Sequence, residues 1–240
     1  MTLADILASL FPRGHQVAIA ESGLIHGKGS LPEGGGIHVL GISAEAPLGI
    51  EDALTLAGQV LDIAGGGDRD PILMLIDSSS QRMSRHDELL GLSEYLAHLA
   101  KALMLAEISG HRTIGLLYGG SAAGAFIATA LATGTLVALP GAHPAVMDLP
   151  SMARVTKLSI DLLKQKAEAT PVFAPGLDNL AKTGGVHAVW APDQPLAGQL
   201  AALLASPITA DLRDRLGAER GGRPKAAAIA ERVMAELLHD

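Results

Sequence analysis

The residues with the most chemistry to offer are Tyr118-Gly119-Gly120-Ser121-Ala122-Ala123-Gly124-Ala125-Phe126. They follow a β-type run, Thr113-Ile114-Gly115-Leu116-Leu117, and open an Ala-rich helical pattern that reaches about Ala132. A strand that ends in paired glycines and turns into a helix leaves backbone N–H groups without intrahelical partners. Those donors and the positive end of the helix dipole favour a negative oxygen. With no side chain on Gly119 or Gly120, a substrate can come close to the backbone. These are the requirements of an oxyanion hole. A tight strand-to-helix turn with glycines for packing fits the same pattern, and the motif alone leaves both readings open.

A second turn, Asp77-Ser78-Ser79-Ser80, follows the apolar run Ile72-Leu73-Met74-Leu75-Ile76. Ligands of parallel sheets collect outside the carboxyl ends of strands, and both turns fall at such ends. If their strands are neighbours, N–H groups from the two turns converge on one carbonyl oxygen. The bland alternative for Asp77 to Ser80 is a polar turn that caps a helix. Other chemistries find less support. There is no cysteine, which excludes thiol catalysis, thiolate metal sites and disulfides. The nine histidines are scattered, with no H-x-x-x-H or H-E-x-x-H spacing, so no metal site is expected. Gly27-Lys28-Gly29-Ser30 through Gly36 lacks both phosphate-loop patterns and leads into a strand instead of a helix.

The elements that must position these turns follow from composition and periodicity. The 240 residues are 48% hydrophobic but only 2% aromatic, with 28 glycines, so the core is built from small aliphatic side chains. That suits helices layered on sheets, an α/β protein. A net charge of −7 argues against nucleic acid and anionic membranes as partners. The N-terminus has no basic lead, and Thr129, Thr133, Gly134 and Thr135 interrupt the longest apolar stretch. A cytoplasmic protein without signal peptide or spanning helix is therefore expected.

Strands are predicted at Gln16–Ala20 and Ile37–Ile42, with a glycine-rich loop, Gly23–Gly36, between them. A helix over about Gly49–Ala64 has Leu54, Ala57, Val60, Leu61 and Ala64 as its apolar stripe. One long helix spans about Asp87–Ile108. Short strands at Leu136–Leu139 and Ala145–Met147, and short helices at Ser151–Lys157 and Ile160–Glu168, come next. Val186–Trp190 is the last strand, and the chain is helical from Pro195. Strand–helix alternation with short links predicts crossover units and a largely parallel sheet. The expected organisation is one domain over 1–240, with a helical tail from about 206 whose Ile229, Val233 and Leu237 dock on the body or on another subunit.

Taken together, these residues resemble the crotonase superfamily. Within it they resemble the carboxyltransferase branch, and most closely the gamma-subunit family of biotin-independent malonate decarboxylases. The similarity rests on Ile72–Ser79, Glu107-Ile108-Ser109-Gly110-His111-Arg112-Thr113, Tyr118–Phe126, Met147–Lys157 and Thr183–Trp190. The resemblance implies a spiral of ββα units with flanking helices in place of a doubly wound sheet. It implies a beta subunit of similar fold as partner, with the active site where the two meet. It also implies a malonyl thioester on an acyl carrier subunit, through a prosthetic group derived from dephospho-CoA. No cofactor on this chain, no biotin and no metal are implied. Gly119, Gly120 and Ser121 become the second oxyanion turn and Ser78 and Ser79 the first, with Gly124, Ser151 and Met152 as substrate-binding residues. Losing carbon dioxide leaves an enolate that needs a proton, for which His143, His187 and Tyr118 are candidates by type.

Three alternatives stand beside this reading. One is the alpha-type half of a biotin-dependent acyl-CoA carboxylase, and another is a non-catalytic scaffold for the beta subunit. A Clp-type serine peptidase is disfavoured, because Ala123 occupies the nucleophile's place and Ser121 lies two residues early.

Overall fold

The computed structural model describes residues 1–169, 175–207 and 211–237. Helix α1 (Leu3–Leu10) precedes the strands β1 (His15–Ile19), β2 (Leu24–Ser30) and β3 (Gly36–Leu48). Helix α2 (Ile50–Ala64), strand β4 (Ile72–Gln81), and helices α3 (Arg85–Leu90) and α4 (Leu92–Ile108) follow. Then come β5 (Thr113–Leu117), β6 (Gly120–Ala122), α5 (Ala123–Thr129), β7 (Thr135–Ala138), β8 (His143–Ala145) and α6 (Leu149–Thr156). The rest is α7 (Ile160–Ala169), α8 (Leu177–Lys182), β9 (Ala188–Val189), α9 (Leu196–Ala205), α10 (Arg213–Glu219) and α11 (Ala226–Leu237).

Seven strands form one sheet in the order β1-β2-β3-β4-β5-β7-β9, antiparallel among the first three and parallel thereafter. Strands β6 and β8 form a separate parallel pair. The connectivity is a spiral: β5–β6–α5 and β7–β8–α6 each give one strand to the large sheet, one to the small sheet, and then a helix. Side-chain alternation assigns the two cores. Ile72, Met74 and Ile76 of β4 face a core shared with α2, α4 and α5, while Leu73 and Leu75 face one shared with α1 and α9.

Several elements differ from the sequence expectation, each for a local reason. The glycine-rich stretch contains β2, whose residues Leu24 to Ser30 pair along β3, so it is a hairpin strand and not a loop. Strand β4 runs on through Asp77-Ser78-Ser79-Ser80 to Gln81, so the expected turn is extended chain. The long helix is two helices, because Gly91 sits at φ 84° in the left-handed region and ends α3 before α4 begins. Helix α2 buries Ile50, Ala53, Leu56, Ala57 and Val60, and leaves Leu54 half exposed. The tail is helical in α10 and α11, with 208–210 and 238–240 outside the described residues. Ile229, Val233 and Leu237 are all exposed, so α11 does not dock on the described body. Among the described residues, no helix is long and apolar enough to cross a membrane.

Candidate active site

Strands β4 and β5 are neighbours in register, from Ile72 opposite Thr113 to Ile76 opposite Leu117, so their carboxyl ends lie side by side. Beyond that ladder, the polar extension of β4 meets β6. Ser78 Oγ and Ser121 Oγ are 2.9 Å apart and fully buried. The Gly120 N–H donates to Asp77 Oδ1 at 3.0 Å, and the Gly124 N–H donates to Gln81 Oε1 at 2.8 Å. The structure thus brings Ser78, Gly119, Gly120, Ser121 and Gly124 together, and Ser79 is exposed beside them. The sequence placed Asp77 in the expected turn but gave its side chain no role, and it did not single out Gln81. Their signal was a carboxylate and an amide placed just after a run of purely apolar strand residues.

The glycines turn out to be needed by neighbours in this same chain. A Cβ on Gly119 would collide with the Asp77 carboxylate. One on Gly120 would lie 2.8 Å from His143 Nε2 and 3.0 Å from the Ser78 carbonyl oxygen. The helix also starts later than expected. Gly120–Ala122 is a strand paired with β8, with His143 opposite Gly120, and α5 opens at Ala123 with φ 51°. The His143 N–H donates to the Gly119 carbonyl at 3.1 Å. His143 itself is largely exposed, with Nε2 3.8 Å from Glu45 Oε1.

Ser151 and Met152 sit on α6, where the Ser151 N–H donates to the capping Asp148 carboxylate at 2.7 Å. Met152 lines a cavity of about 610 Å³ with Leu131, Val146, Pro175 and Arg213, which has none of the glycine-turn residues in its wall. Tyr118 packs against the core shared with α1 and α9, and among the described residues its buried hydroxyl has no hydrogen-bond partner. Burial and the nearby Asp77 carboxylate push its pKa well above the usual range. His187 lines another cavity with Glu107 and Arg112. Burial, then Arg220 and Arg112, hold its pKa below the ordinary imidazole value. At the opposite, amino-terminal edge of the sheet, His38, Asp68 and Asp70 offer ligand atoms within 4.8 Å of one another. There Asp68 already accepts from His38 Nε2 at 3.0 Å and lies 3.6 Å from Lys28 Nζ.

Residues 43–237 match the family model described as the malonate decarboxylase gamma subunit. The chain belongs to the malonate decarboxylase gamma-subunit family. One chain of a Pseudomonas malonate decarboxylase hetero-tetramer in complex with coenzyme A is 25% identical, with a TM-score of 0.79. That alignment covers 97% of this chain and 98% of the other. A malonyl-S-ACP:biotin-protein carboxyltransferase of Malonomonas rubra is 29% identical over 125 residues. That is 51% of this chain and 43% of the relative, so the chain spans less than half of that protein. Transcarboxylase 12S shares the fold, at 17% identity and a TM-score of 0.67 over 86% of this chain and 41% of that one. The crotonase-like α/β architecture implied by the sequence resemblance is the one observed.

Proposed function

We propose that this chain, joined to a beta subunit of similar fold, decarboxylates a malonyl thioester on an acyl carrier protein to an acetyl thioester and carbon dioxide. The observation that carries this reading is the family match over 43–237, supported by likeness along nearly the whole of a malonate decarboxylase chain. In this reading the enzyme is a lyase that works only as a complex. It needs neither biotin nor a metal, and the thioester hangs on a dephospho-CoA-derived arm of the acyl carrier subunit.

Breaking the bond to the carboxylate leaves an enolate whose charge settles on the thioester oxygen. Donors aimed at that oxygen act more strongly in the transition state than in the ground state. In this reading the Gly119-Gly120-Ser121 turn and the extended end of β4 at Ser78 and Ser79 supply the oxyanion donors, Gly124 lies beside them, and Ser151 and Met152 on α6 border a more distant part of the substrate. The Gly120 N–H is held by Asp77 in the free chain. Asp77 therefore gives up that donor when the oxyanion arrives. Losing one such donor costs about 2.7–4 kcal/mol of barrier.

The test is carbon dioxide release from malonyl-acyl carrier protein by the chain alone, by a beta subunit alone, and by the two together. Activity is expected from the complex only. Release by the isolated chain overturns the shared site. Gly120→Val in an intact complex slows turnover sharply; unchanged turnover per complex leaves the chain a scaffold. A second reading, transfer of the carboxyl group to biotin, is favoured by the carboxyltransferase activity of the Malonomonas relative. Inhibition of the complex by avidin selects that reading.

A further inference from the structure

We propose that His143, backed by Glu45, is the acid that protonates the enolate carbon. This rests on the decarboxylation reading above. Of the three sequence candidates for that proton, His143 is the one that combines an exposed ring with contact to the glycine turn. Its Nε2 occupies the space that a side chain on Gly120 would take, at 2.8 Å from the ideal Cβ position. Tyr118, near Asp77, packs against the core shared with α1 and α9 with its hydroxyl buried, and His187 lines a cavity by β7 and α10.

The ring is placed from two sides. Strand β8 sets its backbone opposite Gly120, and its N–H is tied to the Gly119 carbonyl at 3.1 Å. Nδ1 lies 3.4 Å from the Gly141 carbonyl oxygen, so an N–H at that nitrogen faces an acceptor, and Nε2 faces Glu45 Oε1 at 3.8 Å. Glu45 is delivered by an irregular piece of β3. The β3–β4 register breaks between Ile42 and Ala46, and Ala44 and Glu45 have φ of 60° and 51°. Two consecutive non-glycine residues in the left-handed region cost conformational energy and persist where surrounding structure holds them. The bulge aims the Glu45 carboxylate at His143, above the carboxyl ends of the parallel strands.

The step balances as follows. The bond between the α-carbon and the carboxylate breaks, carbon dioxide leaves, and the bonding pair stays on the thioester fragment as the enolate. The Nε2–H of the protonated ring gives its proton to the α-carbon, which becomes a methyl group. The neutral ring regains a proton from water at its exposed edge, so one proton is consumed for each carbon dioxide released. Glu45 orients the ring and neutralises it while it carries charge, which makes it a positioning residue.

The experiment uses the assembled complex, with assembly checked by co-elution, and malonyl-acyl carrier protein as substrate. His143→Ala and His143→Gln are expected to lower turnover about 100-fold or more, the usual worth of a general acid. Added imidazole should restore part of the turnover of His143→Ala but not that of His143→Gln, whose side chain fills the space. Glu45→Gln should give a smaller loss with the substrate KM unchanged. Turnover near the parent's in either His143 variant overturns the proposal, and so does a His143→Ala loss that imidazole leaves untouched. An inactive parent complex is a different result: it defeats the decarboxylase reading, and this proposal falls with it.

Discussion

Ser78 Oγ and Ser121 Oγ lie 2.9 Å apart and fully buried, although 43 residues separate them in the chain. This contact fastens the polar end of β4 to the short strand that carries the glycine turn. Removing one hydroxyl strands the other without a partner, at about 1–3 kcal/mol. Ser78→Ala and Ser121→Ala should each destabilise by about that much, and the double variant by clearly less than their sum. Urea unfolding of the four proteins measures the coupling. Strict additivity would mean that the pair contributes nothing as a pair.

Asp77 holds the Gly120 N–H, and Gln81 holds the Gly124 N–H. Asp77→Asn keeps an oxygen acceptor at the same place, whereas Asp77→Ala leaves the donor unpartnered and the turn unanchored. Displacement of a catalytic turn by about 1 Å costs on the order of 100-fold in rate. In the complex, Asp77→Ala should fall by about that order, with Asp77→Asn much closer to the parent. Equal loss in both variants would point to the charge of Asp77 instead of its hydrogen bond.

A buried carboxylate, Asp87, and a half-buried one, Glu107, should give pH dependences of opposite sign. The hydrogen bond from Arg82 Nε, at 2.6 Å, holds Asp87 below the ordinary carboxylate range. Burial pushes Glu107 above it, opposed by the Thr113 N–H at 3.2 Å. A lowered folded pKa adds stability above the unfolded pKa, which is lost as pH falls through the folded value. A raised one adds stability below the unfolded pKa, which is lost as pH rises through the folded value. Asp87→Asn should therefore be less stable than the parent at pH 7, the gap closing toward about pH 3. Glu107→Gln should be the more stable protein at pH 7, with its advantage closing toward about pH 4. Urea midpoints across that range give both signs, and shifts in the same direction would refute the assignment.

The sequence made the framework legible where burial is one-sided or complete. The unbroken apolar run Ile72–Ile76 is a central strand, and Thr113–Leu117 pairs with it as the shared turn geometry required. It was less informative where three-dimensional neighbours decide. Ser78 is polar, yet it is buried because Ser121 satisfies its hydroxyl, and nothing within ten residues of Ser78 announces that partner. Strand β6 is three residues long, too short for any period to register. Its strand geometry comes from pairing with β8, more than twenty residues on. Leu54 looked like core by spacing, but α2 turns Leu56 inward instead, and a single leucine cannot fix the phase of a helix rich in alanine. Glu45 was invisible as a site residue, because its position depends on a bulge that only the pairing with β4 creates.

The last prediction concerns Arg220, at the end of α10. Its guanidinium donates to the Ala181, Val186 and His187 carbonyls at 2.8, 2.7 and 2.7 Å, gathering the segment that leads into β9. A planar fork can serve three carbonyls at once, whereas a lysine ammonium is a single flexible point. Arg220→Ala should cost about 1.5–3 kcal/mol, with Arg220→Lys recovering only part of it. Hydrogen exchange at Ala188 and Val189 should quicken in both variants. Arg220 is also, after burial, the main reason that His187 is hard to protonate. Removing the positive charge should raise the His187 pKa toward the ordinary imidazole value, while burial and Arg112 keep it from reaching that value. An NMR titration of the His187 ring reads this directly. An unmoved His187 in Arg220→Ala would show that the guanidinium acts on the three carbonyls alone and not on the imidazole beside them.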